Sequence, residues 1–97
     1  MTATVVRREG GELSVEGSIT IDNVVSVVAN GVALFDGEDV IIDLGRVTEA
    51  DSAAVSLMLE WRREAARHHR QVRFLNMSRN LQSLVQLYGV SELMGEA

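Results

Sequence analysis

Near the middle of the chain, Val40-Ile41-Ile42-Asp43-Leu44 forms a short and almost continuously apolar run. Strand side chains alternate between faces, so such a run is apolar on both and belongs in the interior of a sheet covered by helices. A chain organised around it needs flanking strands and helices. Its 97 residues are one domain's worth of chain, with no room for a second unit.

The flanking segments supply those elements. Ala3 to Arg8 is rich in Thr and Val, Glu9-Gly10-Gly11-Glu12 supplies a turn, and Leu13 to Gly17 alternates apolar Leu13 and Val15 with polar Ser14 and Glu16. This pattern predicts a hairpin with one buried face. Thr20 is placed to cap a helix in which Ile21, Val24, Val25, Val28, Val32 and Phe35 follow helical spacing. Asp36-Gly37-Glu38 breaks it before the apolar run. A loop from Gly45 to Ala50 leads to a second helix from about Asp51 to His69, with Val55, Met58, Leu59, Ala65 and Ala66 on one face. Gln71 to Leu75 returns as a strand. Ser78 then caps a third helix carrying Leu81, Leu84, Val85 and Tyr88, with Gly89 at its C′ position. The expected fold is α/β, in the order β-β-α-β-α-β-α, with about four strands and right-handed crossovers.

Composition excludes several kinds of function. Hydrophobic residues make up 46% and charged residues 24%, which is globular rather than disordered. No apolar run reaches the roughly 18 residues that span a bilayer, and Met1 to Arg8 lacks the pattern of a secretion signal, so a cytoplasmic location is expected. The net charge of −5 opposes binding to a phosphate backbone, which makes nucleic acid an unfavoured partner. There is no Cys, hence no disulfide or thiolate metal site, and no Lys, hence no P-loop and no Schiff base. No cofactor or metal is implied. His68 and His69 are adjacent and point about 100° apart on a helix, which does not make an i, i+4 metal pair. Asp43 and Asp51 flank one loop, but Asp43 ends a strand and Asp51 suits a helix cap. Arg62, Arg63, Arg67, Arg70 and Arg73 crowd one region, either as a solvated helix end or as a patch for an acidic partner or phospholipid surface.

Functional expectation concentrates on Asp43 to Val55, which joins the carboxyl end of the buried strand to the amino end of a helix. Ligands and partners of open α/β sheets gather at such junctions. The first-turn N–H groups and the Ser52 hydroxyl converge there, a setting for a helix cap or for an added phosphoryl group, although Glu49 and Asp51 would repel the latter. At about 100° per residue, Leu57 and Trp61 lie off the core face with Ala54 on their side. Small Ala53 and Ala54 admit a close neighbour. Trp61, the single tryptophan, is of a residue type enriched among binding anchors, unless it and Leu57 lie beneath the third helix or a terminal segment.

From Leu13-Ser14-Val15-Glu16-Gly17-Ser18-Ile19-Thr20 through the Val40 to Leu44 run to Asp51-Ser52 and its helix, the chain resembles a STAS domain, the fold of bacterial anti-sigma-factor antagonists. In the antagonists a Ser or Thr after Asp at this junction is phosphorylated by an anti-sigma kinase, which would make Ser52 the acceptor. Ala53-Ala54 departs from the Ser/Gly-Gly common there. Ala50 to Trp61 resembles most closely the MlaB type, small cytoplasmic STAS subunits of the ABC transporter that maintains outer-membrane lipid asymmetry. That resemblance implies a protein without catalysis of its own, docked on an ATPase subunit of MlaF type and meeting the membrane only through the complex. Carried over, it places Ser52 with Thr48, Glu49, Asp51 and Ala53 at the interface. Leu57 and Trp61, lying off the core face, are expected to join them at the interface. The alternatives are a phospho-switched antagonist and, in the enzyme class, a small nucleotide hydrolase.

Overall fold

The computed structural model describes residues 3–90 and 93. A hairpin comes first: β1 (Ala3–Arg7) and β2 (Leu13–Ile19) pair antiparallel with Val5 opposite Val15. Their turn is closed by Arg8 N–H donating to Glu12 O (2.8 Å) and Gly11 N–H donating to Arg8 O (2.9 Å). Then follow α1 (Val24–Val32), β3 (Val40–Ala50), α2 (Ala53–Arg67), β4 (Val72–Leu75) and α3 (Arg79–Leu87), the expected order of elements.

The sheet runs β1-β2-β3-β4, with β2, β3 and β4 parallel. Two successive crossovers stepping the same way, each of the usual hand, bring α1 and α2 to one face of the sheet. Burial agrees. Leu13, Val15, Ile42, Leu44 and Phe74 form a single core cluster with Val27, Leu57, Trp61 and Leu81 of the helices, while Ile41 on the other face is 38% exposed. The apolar run is therefore central but covered on one side only. On the open face Arg8 lies across Ser14, donating to its Oγ at 3.0 Å, and pairs with Asp43 at 3.3 Å, which accounts for the burial of Ser14.

Three expectations about elements are corrected. The segment 45–50 is not a loop: β3 continues through it because Glu16 to Ile19 of β2 supply the partner, with register shifts between Ser14 and Glu16 and between Gly17 and Ser18. The first helix is shorter and turned from the expected face. Ile21 and Val25 point to solvent, and the buried positions are Val27 and Gly31. The cap position is Asn23, whose Oδ1 accepts from Thr20 N–H (3.0 Å) and whose Nδ2 donates to Ser18 O (2.8 Å), while the Thr20 hydroxyl closes the turn ahead of the helix by accepting from Asp22 N–H (3.3 Å). Third, the core face of α2 is centred on Ala54, Leu57, Met58, Trp61 and Ala65, with Ala66 exposed.

Helix ends follow local chemistry. The Ser78 hydroxyl caps α3 by accepting from Leu81 N–H at 3.1 Å. Gly89 at φ +71 closes it as expected, with Val90 N–H reaching Val85 O and Gly89 N–H reaching Gln86 O. α2 closes in the same way with His69 at φ 60 in the glycine position: Arg70 N–H bonds Ala65 O and His69 N–H bonds Ala66 O. No helix among the described residues is long and apolar enough to cross a membrane.

Candidate functional site

The junction between β3 and α2 is built by Asp51. One carboxylate oxygen accepts from Ala53 N–H at 2.8 Å, an Asx-type cap, and the other accepts from Ile21 N–H at 3.2 Å, ahead of α1. Its main-chain N–H donates to Ile19 O at 3.3 Å, continuing the sheet. Because Asp51 caps, Ser52 does not. Ser52 is already helical (φ −62°, ψ −17°), it is exposed, and its hydroxyl makes no hydrogen bond among the described residues.

The first-turn donors expected to be free are taken. Ala53 N–H goes to the Asp51 carboxylate, Ala54 N–H to Asp51 O (2.9 Å) and Val55 N–H to Ser52 O (3.1 Å). A bare anion arriving here would compete with a carboxylate already bound. A sheet stepping β1-β2-β3-β4 also has no reversal of strand order, and it is the reversal that opens a ligand crevice in α/β sheets.

Ser52 and Ser56, one turn apart, form a ridge between two shallow grooves. One, of about 280 Å³, lies between α1 and α2 and is lined by Val24, Val25, Val28, Ser56, Leu57 and Glu60. The other, of about 300 Å³, is lined by Ser52, Val55, Ser56, Leu59, Tyr88 and Val90. Large apolar side chains stand exposed beside them: Ile21 (73%) and Val25 (80%) on one side and Tyr88 (54%) on the other. The surface is thus a polar ridge flanked by apolar ground, with the composition of a protein interface rather than of a small-molecule pocket.

Of the residues expected at the interface, Ser52, Thr48, Glu49 and Asp51 are exposed at this end of the fold, with Thr48 Oγ1 lying 3.4 Å from the buried Ser18 Oγ. Ala53, Leu57 and Trp61 are corrected. Ala53 is buried, and Leu57 and Trp61 are 0% exposed because α1 lies over them. Trp61 donates its indole N–H to Val28 O at 3.1 Å, and its ring packs against Gly31 so closely that a Cβ there would fall 2.4 Å from Cζ2. Ala53 and Trp61 lie beneath the surface, and Leu57 forms only the floor of the groove between α1 and α2. Sequence reasoning missed Ile21, Val25, Ser56 and Tyr88. The first two and Tyr88 were read as core, and Ser56 carries no signal until both grooves are seen.

The other polar groups lie apart. Asp43 is held by Gly45 N–H (2.8 Å) and Asn76 Nδ2 (3.1 Å), which with the nearby Arg8 and Arg46 keep its carboxyl below the ordinary 3.8 against the opposing effect of burial. His68 is roughly 24 Å along the helix axis from Ser52, at the 1.5 Å rise per residue of an α-helix, too far to activate its hydroxyl. It faces Glu64 at 3.7 Å. At the same end Arg63 pairs with Glu60, and Arg67 with Glu64 at 2.7 Å, so two of the crowded arginines are occupied within their own helix. No group of three or more His, Asp or Glu converges as metal ligands among the described residues.

No curated protein matches the chain. Among solved structures, the anti-sigma factor antagonist SpoIIAA in its unphosphorylated form matches with a TM-score of 0.73 and 17% identity, covering 95% of this chain and 84% of that one, a likeness of fold. The family model described as "Mlab, STAS domain" matches residues 3–95, nearly the whole chain. The chain therefore belongs to the STAS-domain family.

Proposed function

We propose that this protein is a non-enzymatic regulatory subunit that docks on the ATPase of an ABC phospholipid transporter through the Ser52 end of α2. The observation that carries this reading is the exposed Ser52 hydroxyl, unspent among the described residues, on a ridge bordered by exposed Ile21, Val25 and Tyr88. Isolated exposed apolar residues are ordinary, but three beside two grooves and one polar ridge support reading this end as a contact surface. The described part of this surface is set by hydrogen bonds at both helix entries, so docking requires little rearrangement. The family match to a domain described as Mlab supports an ATPase of the phospholipid-transport class as the partner. The protein would then lie on the cytoplasmic side of the inner membrane, peripheral to it through the complex.

The test is Ser52→Arg, which puts a bulky cation at the positive end of α2 in the middle of the ridge. Pull-down with the ATPase is expected to be lost while the circular dichroism spectrum is unchanged. Undiminished recovery overturns the reading. Phosphate found at Ser52 by mass spectrometry after incubation with an anti-sigma kinase, together with no ATPase binding, would assign the surface to a phospho-switch instead.

A further inference from the structure

Asp51 is exposed at the proposed docking surface, and its two carboxylate oxygens accept from the Ala53 N–H that opens α2 and from the Ile21 N–H that precedes α1. The two donors are 32 positions apart in the chain, and they belong to the two elements that carry the ridge and its apolar flank. The entry of α1 is tied to β2 by Asn23, whose Nδ2 donates to Ser18 O, and is closed on itself by Thr20, whose hydroxyl accepts from Asp22 N–H; the Asp51 bond is the one that ties it to the tip of α2. Ile21 and Val25, exposed and without packing of their own, stay beside Ser52 only if the entry of α1 is held there.

We propose that Asp51 is the positioning residue of this surface, a strut that fixes the start of α1 against the tip of α2, and that it acts on partner binding through Ile21 and Val25 rather than by touching the partner. The inference rests on the docking reading for its consequence, but the strut can be tested without a partner.

Asp51→Asn is nearly isosteric and remains a competent cap, but its amide offers one acceptor oxygen and one NH₂, so only one of the two main-chain donors keeps its bond. Ile21→Pro removes the second donor and leaves the Asp51 charge in place. Proline is suited to this position, which follows Thr20 in a turn closed by Asn23 N–H and Val24 N–H on Thr20 O. Ile21→Ala keeps the N–H and controls for the lost side chain. Three readouts apply: amide exchange at Val27 and Val28, emission of Trp61, whose indole N–H is anchored on Val28 O, and affinity for the transporter ATPase.

Asp51→Asn and Ile21→Pro are each expected to speed exchange at Val27 and Val28 by about tenfold, the loss of one hydrogen bond to a charged acceptor. Both should shift Trp61 emission to the red and weaken ATPase binding by a similar factor, more than Ile21→Ala does, and the double variant should be no worse than either alone. Unchanged exchange and emission in Asp51→Asn overturn the strut. Weakened ATPase binding in Asp51→Asn with wild-type exchange, and with Ile21→Pro no worse than Ile21→Ala, overturns it in favour of direct contact. If the wild-type chain does not bind the ATPase, the docking reading fails, and the exchange and emission arms still decide whether Asp51 holds α1.

Discussion

Gly31→Ala is the sharpest probe of how α1 and α2 are joined. In an open helix position this change stabilises by about 1 kcal/mol, because alanine has the better helix propensity. Here the added Cβ would stand 2.4, 2.6 and 2.7 Å from Cζ2, Cε2 and Nε1 of Trp61, where carbon contacts normally lie at about 3.5–4.0 Å. The ring has nowhere to retreat, being fully buried with its N–H bonded to Val28 O, so the helices must part by about 1 Å or the indole must leave its position. Overpacking of this kind costs about 1–3 kcal/mol, and loss of the indole hydrogen bond adds about 1 kcal/mol. Set against the propensity gain, the net destabilisation is about 1–3 kcal/mol, which for a domain of this size is a fall in Tm of roughly 10 °C. Urea unfolding followed by Trp61 emission and by circular dichroism measures it. In a Trp61→Phe background, whose ring lacks the crowding Cζ2 and Nε1 atoms, the same substitution should be nearly neutral, giving a coupling of about 1 kcal/mol or more. A Gly31→Ala protein that melts at or above the wild-type temperature would falsify the contact.

Two further predictions follow from the polar groups. Asp43 has its carboxyl pKa depressed, so its bonds stabilise the fold above the unfolded value near 3.8 and are lost as pH falls through the lower folded value. Asp43→Asn should therefore flatten the fall in urea midpoint below about pH 4, and parallel acid limbs in variant and wild type would refute the assignment. The two helix-start serines should differ in effect: Ser78→Ala removes a cap bond and should cost about 1 kcal/mol, whereas Ser52→Ala, which removes none, should stay within about 0.5 kcal/mol. Equal losses in thermal melts would show that Ser52 caps after all.

Where chemistry is local, the sequence was informative. Ser78 and Gly89 bracket α3 as their residue types dictate, and the alternation of Leu13 and Val15 identified the buried face of β2. Where a distant segment decides, it was not. Nothing in Gly45 to Ala50 announces a strand, since the partner that makes it one lies some 30 residues earlier in β2. The spacing of Ile21 and Val25 is that of a core face, but Gly31, invisible to a count of apolar side chains, is where α1 meets Trp61, and that contact turns the two residues outward. Leu57 and Trp61 were set apart from a core face of Val55, Met58, Leu59 and Ala66, but they are buried in one cluster with Val55 and Met58, and Ala66 is exposed. Which side was covered depended on where α1 came to rest. The Ser52 tip was legible because an Asp-Ser pair at a helix start is a local signal, but the division of labour between the two residues was not.

β3 outruns its neighbour. Pairing with β4 ends at Asp43 opposite Leu75, so among the described residues the stretch from Leu44 to Ala50 keeps one flank without a strand beside it. Such a flank invites a foreign strand to add on. Both register shifts fall on this stretch, and Asn80 reaches from α3 to donate to the last carbonyl, Ala50 O, at 3.3 Å. An incoming chain would find donors and acceptors at uneven intervals with the final acceptor already claimed, so the irregularity of this edge discourages stacking of copies into fibrils.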